Sequence, residues 1–438
     1  MEKKKSKSWT QHFLLPTKLD RELLVRRATT ATVTSGASVV SGTFVMANTL
    51  LGSGMLGLPA AYARCGYVTG TLMLVVSGLS GTFGLHLLSE GANLAGRPAS
   101  FSGLAEVALP GSGIFLDIAV AIKCFGVATS YLIVVSDTMP DLMVAWGQTG
   151  ILCNRRLWIV AALIFAGPLT FLRDLSAQRY SAYAAVMCVL FTVVTVALSA
   201  WHPVSFLDPY DPDCFDCKGE TLPATSWKNS LVSLPVFVFS YTCHQNIISI
   251  TNELHQPTTL RAAIVASASN LMAFASYLII AIAGYITFGS KVSSDVLQSY
   301  SDEAVLPNIA RVAIAFLVTL CYPLQAHPSR LSVLSLLKVV FRRCKCDFEV
   351  KGQFWFRVTT VVFLCTSTAL AMSITDLGMV LRFVGSTGST MVQYIIPGAC
   401  YFILQKGSNS ITRWMALAHL VLGLLIMFGS LTLIASGL

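Results

Sequence analysis

Apolar residues run along this chain in long blocks separated by short polar stretches. A helix of about 20 mostly apolar residues crosses about 30 Å of hydrocarbon. The blocks therefore predict eleven transmembrane helices, near residues 39–62, 67–95, 113–140, 156–172, 178–200, 229–251, 261–288, 305–326, 355–374, 376–404 and 412–436. Thr375 and Asp376 alone mark the turn between the ninth and tenth. The expected architecture is an all-α polytopic membrane protein. It has a basic segment over 1–38, a ten-helix core over 39–404 and an eleventh helix within 405–438.

Two blocks are interrupted. The first contains Asn48-Thr49-Leu50-Leu51-Gly52-Ser53-Gly54-Met55-Leu56-Gly57-Leu58-Pro59. Relative to Ala, Gly costs a helix interior about 1 kcal/mol and Pro about 3, so this run predicts local unwinding. The sixth contains Pro235 and then the polar run Ser240-Tyr241-Thr242-Cys243-His244-Gln245-Asn246. Breaks five spans apart match an inverted repeat, in which spans 1–5 and 6–10 are related by a pseudo-twofold axis and discontinuous helices form a midplane binding site. Unwound amides cannot face lipid, and freed N–H groups at a half-helix start attract a carboxylate. Gly52, Ser53, Gly54, Tyr241 and Thr242 are therefore candidate substrate contacts. Gly78, Gly81 and Gly84 of the second block read instead as close-packing positions.

Composition supports a lipid-facing surface. The chain is 54% hydrophobic and 12% charged, against about 25% charged in soluble domains. The net charge of +9 would suit nucleic acid, but the basic residues lie between apolar runs, so the expected partner is the bilayer and nucleic acid is set aside. The basic start, with Lys3, Lys4, Lys5 and Lys7, is not followed by the apolar core and cleavage site of a signal peptide. The first span is expected to stay as an anchor. With the N-terminus cytoplasmic, 21 of the 30 Lys and Arg residues fall on the cytoplasmic side and seven opposite, Lys123 and Arg382 lying within spans. That bias obeys the positive-inside rule and supports an odd number of spans, with the C-terminus luminal or external.

Charges inside the membrane are costly and usually functional. Lys123, mid-way along span three, is a candidate substrate counter-ion or a fixed cation in place of sodium. A pair with Asp117 is poor, because six residues separate them on one helix. His244 lies in the break of span six and titrates in the range of an acidic organelle, which makes it a candidate for proton coupling. Arg382 is expected to snorkel or to help gate the path, and His327 to be interfacial. Cys153, Cys214 and Cys217 could include one disulfide. Cys344 and Cys346 sit in a basic cytoplasmic loop, where palmitoylation is the alternative to free thiols. Asp20-Arg21-Glu22-Leu23-Leu24 is similar to an acidic dileucine sorting signal, and no Asn-x-Ser/Thr sequon occurs. No phosphate-binding loop, HExxH or nucleophile elbow is present, so no enzyme and no cofactor are expected.

Several stretches together resemble the amino acid/auxin permease family. They are Asn48 to Pro59, Asp117 to Val127 with Tyr131 to Pro140, Leu234 to Asn246, Pro323-Leu324-Gln325-Ala326-His327-Pro328, and Gly385-Ser386-Thr387-Gly388-Ser389-Thr390 through Pro397. The family includes vacuolar exporters and sodium-coupled neutral amino-acid transporters. The resemblance implies a LeuT-type 5+5 inverted repeat plus one helix, with amino-acid substrate held at the breaks and spans three, eight and ten completing the cavity. It implies Asn48 and Thr319 as the nearest candidates for an ion site. Lys123 departs from the sodium-dependent pattern and shifts the expected coupling to a proton gradient, across a vacuolar or lysosomal membrane, from lumen to cytosol. Acidic amino acids are the expected cargo. The alternatives are a sodium-coupled neutral transporter and an amino-acid-sensing receptor on the same fold. The cytoplasmic loop before span nine is shorter than in exporters of this kind.

Overall fold

The computed structural model describes residues 36–96, 100–171, 178–201, 210, 218–343 and 352–436. The dileucine stretch, the Cys214–Cys217 pair, Cys344 and Cys346 lie outside them. The described helices are α1 (Val39–Leu50), α2 (Leu58–Cys65), α3 (Tyr67–Ala95), α4 (Phe101–Ala108), α5 (Gly113–Ala145), α6 (Arg155–Thr170), α7 (Gln178–Trp201), α8 (Trp227–Ser240), α9 (His244–Glu253), α10 (Thr259–Phe288), α11 (Val305–Arg343), α12 (Gly352–Ser373), α13 (Leu377–Val384), α14 (Ile396–Leu404) and α15 (Ile411–Ala435).

Eight helical segments among the described residues are long and apolar enough to span a membrane, and α1 with α2 make a ninth, bent by 46°. The other two expected spans are the 16-residue α6 and the interrupted run from α13 to α14. Asp376 caps α13, its carboxylate accepting from the Gly378 amide at 2.9 Å, so the turn between spans nine and ten lies where the polar pair marks it. The helix of span eight continues beyond the expected boundary at 326. Pro323 and Pro328 lie inside a continuous helix that runs on to Arg343, packed lengthwise against α5. Extensive packing outweighs the hydrogen bonds that two prolines remove.

Each break has a local cause. In span one, a short 3₁₀ turn at Ser53–Gly57 joins α1 to α2, and Pro59 sits in the first turn of α2, where its missing N–H costs nothing. In span six, Tyr241–Cys243 separate α8 from α9. Span ten carries an interruption the sequence did not announce: π-helical turns at Gly385–Ser389 and Met391–Ile395. A Cβ on Gly385 would lie 2.0 Å from the Pro235 carbonyl oxygen, and one on Gly388 2.7 Å from the Lys123 amide nitrogen. Span ten is thus pressed onto the backbones of both α8 and α5. The most apolar stretch of α5 is 78% buried and that of α15 only 22%, which puts span three at the centre and span eleven at the rim.

Candidate functional site

The two breaks meet at the centre. A cavity of about 10 Å³ is lined by Thr49, Leu50, Gly52, Ser53 and Gly54 from span one, Lys123, Val127 and Tyr131 from α5, and Phe239 and Thr242 from span six. It is closed down to roughly the size of one water. The amides of Ser53 and Gly54 start the 3₁₀ turn, and no described backbone carbonyl accepts from them. Lys123 is 2% exposed, and no described carboxylate forms an ion pair with it. A buried cation beside unspent amides can receive an anion, and a buried charge without such a partner is expensive.

Neighbouring groups fix the shape of this centre. Ser53 and Ser130 hydroxyls are 2.7 Å apart, tying the break to α5. Gly54 has no room for a side chain, since a Cβ would lie 2.9 Å from Ser240 Oγ and 3.2 Å from Ser240 Cα. Thr242 Oγ1 lies 2.6 Å from the Val238 carbonyl and 3.0 Å from Gln393 Oε1, linking span six to span ten. Tyr277 of α10, buried, lies with its hydroxyl 2.5 Å from the Leu50 carbonyl and 2.8 Å from the Ser240 carbonyl. Those are the last carbonyls of α1 and α8, which the breaks leave without helical partners.

A second cavity of about 290 Å³ opens towards the side on which residues 36–39 lie. Asn48, Gln245, Asn246, Glu253, Cys321 and His327 are among its walls. Thr49 and Tyr131 line both cavities and so lie between centre and vestibule. A Cβ on Gly52 would come within 3.0 Å of the Tyr131 hydroxyl. The opposite end is closed by packed loops and buried charges. The larger cavity thus lies on the N-terminal side of the centre, its wall residue Glu253 next to the Ala37–Leu254 bridge.

The structure brings Gly52, Ser53, Gly54, Thr242 and Lys123 together at one cavity. Asn48 lines the vestibule, within 3.8 Å of Cys321 Sγ. Thr319 is not its neighbour. The Thr319 hydroxyl donates to the Ala315 carbonyl at 2.7 Å, and two residues of helix rotate a side chain by about 200°, so the residue of span eight facing Asn48 is Cys321. Tyr241 lies behind the break, its ring against Gly78 and edge-on to Tyr277 at 5.3 Å. His244 is also absent from both cavity walls. Its Nε2 is 3.0 Å from the Gly81 carbonyl and therefore carries the proton, while Nδ1 is buried without a partner. Gly84 is pressed against the same ring and the Gln393 carbonyl, which accounts for the small-residue face of span two. Arg382 pairs with Asp376 at 3.6 Å, at the start of span ten and outside the cavity. His327 lines the vestibule, 3.0 Å from an Arg330 nitrogen. Asp117 faces Ser332 and Ser335 of α11 rather than Lys123. The Cys153 thiol is free.

Sequence reasoning missed Tyr131, Phe239 and Tyr277 as site residues. A tyrosine deep in an apolar span was the available signal for Tyr277.

A family model described as transmembrane amino acid transporter protein matches residues 35–436. Vacuolar amino acid transporter 5 of Schizosaccharomyces pombe is 34% identical, the match covering 84% of each chain. Vacuolar amino acid transporter 6 of Saccharomyces cerevisiae is 33% identical over 83% of this chain and 89% of its own. Sodium-coupled neutral amino acid symporter 2 of Danio rerio is 25% identical over 91% of this chain and 82% of its own. Among solved structures, MhsT in complex with L-phenylalanine superposes with a TM-score of 0.57 over 90% of this chain and 99% of its own, at 11% identity. That last likeness is one of fold, and the fold is LeuT-type.

Proposed function

The chain belongs to the transmembrane amino acid transporter family, and from that premise we propose that it carries amino acids across a vacuolar or lysosomal membrane. Transport runs from lumen to cytosol, is coupled to protons, and has the N-terminus cytoplasmic and the C-terminus luminal. The observation that carries the reading is the meeting of two helix breaks around Lys123, a buried cation without a described carboxylate partner. The α-carboxylate of an amino acid fits the amides of Ser53 and Gly54. The vestibule on the N-terminal side supports release into the cytosol. The two vacuolar relatives support the choice of membrane, and the sodium-coupled one makes sodium the competing coupling ion.

Lys123 further favours cargo with a second carboxylate, such as glutamate or aspartate. Opposite charges about 4 Å apart attract by roughly 4 kcal/mol at an effective dielectric near 20, before desolvation is subtracted. The test is Lys123→Met, assayed for uptake of acidic and neutral amino acids. Loss of acidic substrates with neutral ones kept supports charge selection. Equal loss of all substrates means that Lys123 acts as a fixed cation that never meets cargo, and it retires the acidic preference.

A further inference from the structure

The closed end, opposite the N-terminal side, is sealed by a layer of charges that the substrate site does not use. Asp137 and Asp141 lie one turn apart near the end of α5. Arg155 donates from Nε to Asp137 Oδ1 at 2.9 Å and from Nη2 to the Ile374 carbonyl at 3.1 Å. The loop between α10 and α11 carries Asp295, whose Oδ1 accepts from the Leu297 amide at 2.9 Å. Arg311, fully buried, holds that same loop. It donates to the Leu297 carbonyl at 3.1 Å, the Tyr300 carbonyl at 2.8 Å and Asp302 at 3.0 Å. Four carboxylates therefore share two guanidiniums. Two buried carboxylate oxygens, Asp137 Oδ2 and Asp295 Oδ2, have no hydrogen-bond partner, and Asp295 is 0% exposed.

We propose that Asp295, facing Asp137, is a proton-binding site that latches this end of the pathway, so that the gate shuts as one proton from that side joins an Asp295 carboxylate oxygen. An unpartnered buried carboxylate oxygen is costly when ionised, and a proton on it relieves both the desolvation and the repulsion from Asp137. The latch is mechanically joined to the substrate site. The Val296–Ser299 turn that Asp295 caps packs on the Ser53–Gly57 turn of span one, and the Ser294 carbonyl is 3.6 Å from the position of a Cβ on Gly57. Opening this gate has to move the loop off the break.

The charges around Asp295 come from each packed element: Asp137 and Asp141 from α5, Arg311 from α11, Asp302 and exposed Lys291 from its own loop, and the paired Asp376 and Arg382 from α13, with Arg64 of α2 beside Arg382. The Ser53–Gly57 turn brings none. Burial, and then the charge of Asp137, push the Asp295 carboxyl up to about 7 in this closed form. In an open, solvated gate it returns to the ordinary carboxylate value near 4. The closed form thus binds the proton more tightly, and closure is favoured as pH falls from about 7 towards about 4, by up to tenfold per unit.

The inference rests on the transport reading for its direction, but its test needs neither substrate nor flux. Amide hydrogen exchange of residues 292–304 would be followed in the full chain in lipid nanodiscs at pH 5.5 and 7.5, corrected for intrinsic rates. The wild type should be up to about 25-fold more protected at pH 5.5. Asp295→Asn should be as protected at both pH values as the wild type is in acid. Asp137→Asn should keep the pH response but move its midpoint down, and this variant decides the matter if Asp295→Asn does not fold. A wild type without pH dependence, an Asp295→Asn protein that keeps it, or an unmoved midpoint in Asp137→Asn overturns the latch. Those results leave the carrier reading standing, and a protein without transport would leave the exchange result standing.

Discussion

Tyr277→Phe removes one oxygen and leaves the ring packed edge-on against Tyr241. That hydroxyl carries one hydrogen, shared between the Leu50 carbonyl at 2.5 Å and the Ser240 carbonyl at 2.8 Å. The Gly52 amide still donates to Leu50 at 3.0 Å, so the substitution unties the two half-helix ends and leaves the Ser240 carbonyl without a described donor. Leaving a buried acceptor unsatisfied costs about 1–3 kcal/mol. Charged against the conformation in which the breaks are held together, that cost is a factor of roughly 5 to 150 in any equilibrium the conformation governs. We expect purified Tyr277→Phe to insert normally, to melt earlier in detergent and to bind amino acids more weakly within that range. The assay is scintillation-proximity binding with a radiolabelled amino-acid panel, beside a thermal melt. A variant that melts and binds as the wild type does would refute the claim that this hydroxyl holds the two breaks together.

Three further outcomes follow from the same geometry. Gly54→Val should abolish uptake while the protein still reaches the membrane, because even its Cβ would meet Ser240 at 2.9 Å; normal uptake by cells expressing it would sink the assignment of this break as the site. Gly385→Ala drives a Cβ to within 2.0 Å of the Pro235 carbonyl, and should lower both yield and melting temperature more than Gly429→Ala, whose Cβ meets nothing within 4 Å. His244→Gln should leave the pH dependence of uptake in place, since the imidazole is spent on the Gly81 carbonyl at 3.0 Å and lines neither cavity; a flattened pH profile would return His244 to the proton path.

How much of this was legible in the sequence depends on the kind of signal. The spans follow from apolar length, and the breaks from Gly52, Gly54, Gly57 and Pro59, residues whose local cost does not depend on their neighbours. Lys123 stood out because a charge in an apolar run needs a reason. Helix phase was less secure. Thr319 and Cys321 differ by two residues, and only the packing of α11 on α5 decides which one meets Asn48. The direction of His244 is set by how α9 restarts after Cys243, which no spacing rule fixes. Asp137 and Asp295 lie far apart in sequence, so the sealed end could not be assembled before the fold was known. The π turns of span ten arise from the close approach of Gly385 and Gly388 to two other backbones, again a tertiary cause.

The most direct test of the central claim is net flux in proteoliposomes containing only the purified chain. A panel of radiolabelled amino acids would be offered with an imposed pH gradient, acidic on the substrate side, in sodium and then in choline medium. The account predicts uptake of at least one amino acid that rises with the gradient and is unchanged when choline replaces sodium. Binding without flux would contradict it in favour of a receptor, and flux lost in choline at a constant gradient would contradict the proton coupling.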